Sequence, residues 1–273
     1  MEKSNLRLPV VAGKFYPGSK DALNKLIASL LTDEPKKSDV IACMLPHAGY
    51  IYSGAVAVKT VSRMNIRDRI ILLGPNHTGY GERMSIMTEG AWQTPLGKVS
   101  IDTELAQQIL AHSKYLKADY LAQADEHSLE VELPILQYFK SDFKIVPIVL
   151  FSQDAAELKE LGQEIASAIE QSGGRSSATI IASSDMTHYE SQSSAQKKDK
   201  EALQAVLALD EDKLMERVQR LNISMCGCAP VTAMLSAAKA LGATQAELVS
   251  YKTSGDVTGD TSSVVGYAGV IIY

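Results

Sequence analysis

The chain has 273 residues, which allows either one large hydrophobic core or two smaller ones. With 45% hydrophobic and 22% charged residues it is too apolar and too mixed in charge for a disordered chain, and a net charge of −5 excludes a general polyanion binder. The one basic run, Lys197-Lys198-Asp199-Lys200, is broken by an aspartate and reads as a solvated helix face. Met1–Leu8 is polar and lacks the apolar core of a secretory signal, and no stretch approaches the ~20 apolar residues of a spanning helix, so a cytoplasmic protein is expected. Three cysteines, Cys43, Cys226 and Cys228, are too few for a disulfide framework and fit a reducing compartment.

In chain order, a helix is expected over Lys20–Leu31, then a strand over Val40–Leu45, a helix over Gly54–Met64 and a strand over Arg69–Leu73. Helical spacing returns over Thr103–Ala111 and Glu130–Phe139, followed by a strand at Lys144–Leu150, a helix at Asp154–Gln171 and a strand at Ala178–Ala182. Helices over Lys198–Ala208 and Pro230–Leu241 precede two strand-like stretches, Glu247–Tyr251 and Val264–Ile272, around a Gly- and Asp-rich loop. The inner strands lack polar alternation, as strands buried on both faces do. Alternating strands and helices predict a three-layer α/β/α fold around a central, largely parallel or mixed sheet. No repeat or linker interrupts it, so residues 1–273 are expected to form one domain.

Two strands run straight into histidines: Val40–Leu45 into Pro46-His47-Ala48-Gly49, and Arg69–Leu73 into Gly74-Pro75-Asn76-His77. A third, Ala178–Ala182, leads into Ser184-Asp185-Met186-Thr187-His188. Ligands of open α/β sheets bind beyond the carboxyl ends of the strands. One strand-end histidine is more often a hydrogen-bonded structural residue, but placing three of the five histidines in such positions points to a site. His47 and His77 can converge if their strands are neighbours, and His112 reads as a surface residue.

Asp125-Glu126-His127-Ser128-Leu129-Glu130 reads in the plain way as a helix start, with Ser128 as N-cap and Glu130 and Glu132 in the first turn. His127 or Glu130 reaching the site as an orienting group is the competing reading. Cys226 and Cys228 lie just before a helix opened by Pro230, where the dipole and free amides favour a thiolate. Two histidines and a cysteine with open positions suit iron(II) or zinc. Tyr50, Tyr52 and Trp92 are candidates for pocket walls, though core packing accounts for them as well. Neither a P-loop nor a Gly-x-Ser-x-Gly elbow occurs.

These blocks, taken with Ala12-Gly13-x-Phe15-Tyr16-Pro17, Tyr50-x-Tyr52-x-Gly54, Leu133-Pro134, Tyr189, Cys226-Gly227 and Ser254-Gly255-Asp256-Val257-Thr258-Gly259-Asp260, resemble the Memo family nearly end to end. Prokaryotic members are called AmmeMemoRadiSam system protein B, and the family is related in fold to class III extradiol dioxygenases. The resemblance implies His47, His77 and Cys226 as metal ligands, His188 as acid/base and Asp185 beside it, while the residues' own pattern leaves His127, Glu130 and Cys228 as outer candidates. It implies iron(II) as the metal, with zinc or copper as alternatives. It implies a small-molecule substrate and association with radical-SAM and AMMECR-type proteins, while the acidic net charge and the lack of a long apolar stretch argue against nucleic acid and membrane as partners. Cys228-Ala229 departs from the Arg-His that follows Cys-Gly in other members. A cysteine also replaces the carboxylate of the dioxygenases, so a mononuclear iron redox enzyme, a scaffold using the old pocket and a zinc hydrolase all stay open.

Overall fold

The computed structural model describes residues 6–32 and 35–273, so the polar stretch Met1–Leu8 begins outside the described residues. Twelve strands are found among them: β1 (Leu6–Arg7), β2 (Ala42–Leu45), β3 (Arg69–Pro75), β4 (Met84–Ile86), β5 (Ala91–Thr94), β6 (Gly97–Ile101), β7 (Lys117–Ala118), β8 (Lys144–Leu150), β9 (Thr179–Ser183), β10 (His188–Glu190), β11 (Ala246–Thr253) and β12 (Val264–Ile272). The helices are α1 (Lys20–Leu30), α2 (Tyr50–Ser62), α3 (Thr103–His112), α4 (Leu121–Ala124), α5 (Glu132–Phe139), α6 (Ala155–Gln171), α7 (Gln192–Leu207), α8 (Glu211–Arg220), α9 (Cys228–Ala240) and α10 (Gly255–Thr258).

The strands form one mixed sheet in the order β1-β5-β6-β8-β3-β9-β2-β12-β10, with β11 on β12, β4 on β8 and β7 on β4. Its centre, β6 to β2, is parallel, and β12 joins β2 antiparallel. Ile70 to Leu73 of β3 are buried throughout, and each such side chain contributes about 1.5–3 kcal/mol relative to exposure. That burial explains the absence of alternation in these runs.

Helices cover the sheet in two groups: α9 lies on β3 and β9 with α6 packed against it, while α2 lies beside β2 and β12 with α1 and α5 packed against it. Helix α6 shows how the sequence sets such an element. Asp154 caps it by accepting from the amides of Ala156 and Glu157, and Leu158, Leu161, Ile165 and Ile169 form its buried stripe. Gly162 allows the close approach, since a Cβ there would lie 2.4 Å from Ala233 O on α9. No helix among the described residues is long and apolar enough to cross a membrane.

Several local expectations need correction. Ser128 caps nothing: it is buried in a turn, and α5 begins only at Glu132, after Val131. The strands ending at His47 and His77 are not neighbours, because β9 lies between them. His188 does not follow β9 directly but opens β10, antiparallel to β12. The short strands at 84–101 and helix α8 are absent from the expected elements, the strands because three to five residues each leave too short a window for alternation to register, while α8 carries a clear amphipathic pattern that the sequence reading passes over.

Candidate metal centre

The carboxyl ends of β2, β9 and β3 stand side by side and deliver His47, Asp185 and His77 to one cleft of about 670 Å³. The loop before α9 brings Cys226 to the same place. His47 Nε2 lies 3.3 Å from Cys226 Sγ, and the donor atoms of His47, His77 and Cys226 all lie within 4.8 Å of one another. Gly227 makes this approach possible, because a Cβ there would sit 2.3 Å from Ser183 O at the end of β9. Asp185 ties the strand ends together by accepting from the His47 amide at 2.9 Å, while its own amide donates to Cys226 Sγ at 3.3 Å.

After β3, the Asn76 side chain accepts from the amides of Thr78 and Gly79 and donates to Tyr80 O, which turns the chain and presents His77. Behind each histidine stands a hydrogen-bond partner for Nδ1. His77 Nδ1 donates to Glu126 Oε1 at 2.9 Å, and the His77 amide donates to the other oxygen at 2.5 Å. His188 Nδ1 donates to Ser224 O at 2.8 Å. A carboxylate and a carbonyl only accept, so Nδ1 carries a proton in both rings, and in the neutral tautomer Nε2 is the nitrogen that keeps the lone pair. His47 Nδ1 meets Ser183 Oγ at 2.8 Å.

Glu126 was not singled out from the sequence. Its only trace there was its place beside His127 in a polar cluster. Burial works to raise the Glu126 carboxyl, but the bonds from His77 and the Ser128 amide outweigh it and hold it below the usual range. Glu126→Gln should therefore loosen His77 and weaken metal binding 10–100-fold, as measured by competition with a chelator.

His127 does reach the cleft, stacked on His77 with ring centres 4.7 Å apart and edge-on to His47 at 5.6 Å. His77, Glu126 and His127 also bring donor atoms within 4.8 Å of one another. Glu126 is already committed to His77 and Ser128, and His127 Nδ1 stands 3.6 Å from it, so this group reads as support for His77. Glu130 does not face the cleft. It is buried against Arg7, Tyr16 and the amides of Val10 and Val11. Cys228 is likewise directed away, with its sulfur 3.4 Å from Met215 Sδ. Trp92 and Tyr50 are core residues, while Tyr52 lines the cleft.

Electrostatically the cleft disfavours charge on the groups buried in it. Burial, then the charges of His77, His127 and His188, push His47 well below the usual histidine range. Burial and the Asp185 charge push the Cys226 thiol up, and burial takes Cys228 to about 11, so desolvation outweighs the helix dipole expected to favour thiolates there. Asp185 is pushed up to about 7 by burial, against the amides of His47 and Ala48. Because that folded value exceeds the unfolded one of 3.8, the associated stability is present below pH 4 and is lost as pH rises toward 7. Asp185→Asn should thus raise the melting temperature of metal-free protein at pH 8 and change it little at pH 4.

Compared with known proteins, residues 7–271 match the family model described as Memo-like protein. The chain belongs to the Memo family. MEMO1 family proteins of Methanopyrus kandleri and Methanosarcina barkeri are 41% and 43% identical to it, over 97% and 98% of this chain and 98% and 100% of theirs. The MEMO1 family protein of Aquifex aeolicus is 43% identical over 97% of this chain and 98% of its own length. Among solved structures, an uncharacterized protein of Escherichia coli K12 matches with a TM-score of 0.55 and 14% identity, covering 84% of this chain and 98% of that one. At that identity the likeness speaks for the fold of this Memo protein alone.

Proposed function

We propose that this Memo protein is a mononuclear metal enzyme that binds one iron(II) ion through His47 Nε2, His77 Nε2 and Cys226 Sγ and performs a redox reaction on a small molecule held in the adjoining cleft. The observation that carries the reading is the convergence of these three donors within 4.8 Å. His47 Nε2 and Cys226 Sγ stand 3.3 Å apart, and two imidazole nitrogens with one thiol sulfur would hold one borderline divalent ion. The donor set therefore fits the ion.

When bound, the ion supplies Lewis acidity and, as iron, a change of oxidation state. The protein's own residues supply the rest. His188 Nε2 faces the cleft with its lone pair free and holds or moves a proton there. Asp185, near neutrality, exchanges a proton beside Cys226 and orients the His47 loop. Phe15, Tyr52 and Tyr267 wall the cleft, and Lys14 places a cation at it. A radical-SAM and an AMMECR-type protein as partners in one pathway belong to the same proposal.

Anaerobic purification followed by quantification of iron, zinc and copper tests the reading. One equivalent of iron, with substrate turnover lost but metal kept in His188→Ala, is the expected result. Zinc in that position, with hydrolysis unaccompanied by electron transfer, would replace the redox reading by a hydrolytic one. Absence of any bound metal would overturn both.

A further inference from the structure

Glu132 begins α5 directly behind His47 and has no exposed surface. Among the described residues its hydrogen-bonded link to the metal centre is Ser183. Ser183 Oγ lies 2.8 Å from Glu132 Oε1, 2.8 Å from His47 Nδ1 and 2.9 Å from Ser128 O. Glu132 Oε2 has no hydrogen-bond partner among the described residues.

A hydroxyl offers one hydrogen and two lone pairs, and a carbonyl only accepts. If Ser183 donates to Ser128 O, its two lone pairs must be filled by donors. A protonated Glu132 donates from Oε1 to one, and His47 Nδ1–H donates to the other. Every bond at Ser183 is then made. The bare Glu132 Oε2 becomes a neutral carbonyl oxygen, which is far cheaper to leave unpaired than half of a buried anion. The titratable groups facing Glu132 are Cys43 on β2, Tyr50 on α2 and Asp185 after β9, and none of them is a cation. An ionised Glu132 would have no partner for its charge. Burial, against the Ser183 bond and together with the Asp185 charge, likewise pushes this carboxyl well above the usual range.

We propose that Glu132 is a protonated, uncharged positioning residue that acts through Ser183 to hold His47 in the tautomer whose Nε2 lone pair faces Cys226. Its purpose rests on the metal-centre reading, but its protonation is measurable without metal. A neutral donor at this position turns His47 toward the cleft without adding a second negative charge beside Asp185.

The test is an infrared difference spectrum of metal-free protein, wild type minus Glu132→Gln, at pH 8, paired with zinc affinities from chelator competition. A protonated-carboxyl C=O stretch should be present in the wild type and absent in the variant. Glu132→Gln should bind zinc within about twofold of wild type, because its amide N–H donates to Ser183 as the acid does, while Glu132→Leu and Ser183→Ala should lose about 10–100-fold. Glu132→Gln keeps the volume and the bond, so the comparison holds even if Glu132→Leu does not fold. Absence of the C=O band, or a loss in Glu132→Gln equal to that in Glu132→Leu, would overturn the proposal. If wild type binds no zinc or iron, the metal-centre reading fails, and the infrared band alone still decides the state of Glu132.

Discussion

Cys226→Ser is expected to weaken zinc or iron(II) binding by about 100-fold or more, equivalent to roughly 2.7 kcal/mol. Among the described residues lining the cleft the Cys226 sulfur is the one soft donor, and it lies 3.3 Å from His47 Nε2. A hydroxyl at that position is a harder, more weakly acidic ligand. The effect should appear in the stability of the fold as well as in metal content. With metal at 100 times its dissociation constant, binding stabilises the wild type by about 2.7 kcal/mol, and a 100-fold weaker variant keeps only about 0.4 kcal/mol at the same concentration. Melting curves with and without metal should therefore converge in Cys226→Ser while remaining well separated in wild type. Burial holds the metal-free Cys226 thiol protonated, so uptake must release that proton, and affinity should fall as pH falls, about tenfold for each unit over which one proton is displaced. A variant that binds metal as tightly as wild type would remove Cys226 from the centre.

Arg7→Met should destabilise the fold by about 3–5 kcal/mol, because it strands a buried carboxylate. Arg7 and Glu130 form an ion pair at 2.5 Å with side chains 1% and 0% exposed. The guanidinium also donates to the carbonyls of Gln123 and Glu126 and lies over the ring of Trp92 at 4.2 Å. Glu130 in turn accepts from the amides of Val10 and Val11 and from the Tyr16 hydroxyl. The pair thus clamps the N-terminal segment that carries Lys14 and Phe15 to the loop that carries Glu126, the partner of His77. Urea denaturation reads the loss directly. Glu130→Leu in the Arg7→Met background should recover only part of it, since three donors would still lose their acceptor. Metal affinity should fall in step with the loosening of Glu126, far less than in Cys226→Ser.

Some of this was legible from the chain and some was not. The strands that carry the site were readable because β2, β3 and β9 are buried on both faces and so are written as unbroken apolar runs. Each run ends in a small or turn-forming residue and then a functional one, which made His47, His77 and Asp185 visible as one class of position. Glu130 shows the limit. Its placement two residues after Ser128 looks like first-turn acidity at a helix start, yet its role depends on Arg7, 123 residues earlier. No local pattern carries that distance. Glu126 and Ser183 were missed for the same reason: a buried polar residue is defined by its partner, and here the partners are His77 and His47.

The sequence by itself determined that the chain builds an α/β sheet, which residue types stand at its carboxyl edge and, through motifs running nearly end to end, that it is a Memo protein. These follow from short-range rules of burial, spacing and turn chemistry. Only the tertiary structure decided that β9 separates the two histidine strands, that Glu126 and Ser183 stand behind His77 and His47, and which nitrogen of His77 and of His188 is turned to the cleft. Those outcomes depend on strand order and on hydrogen bonds between distant segments, where a shift of one residue in register or a single added Cβ at Gly227 would direct the same side chains elsewhere.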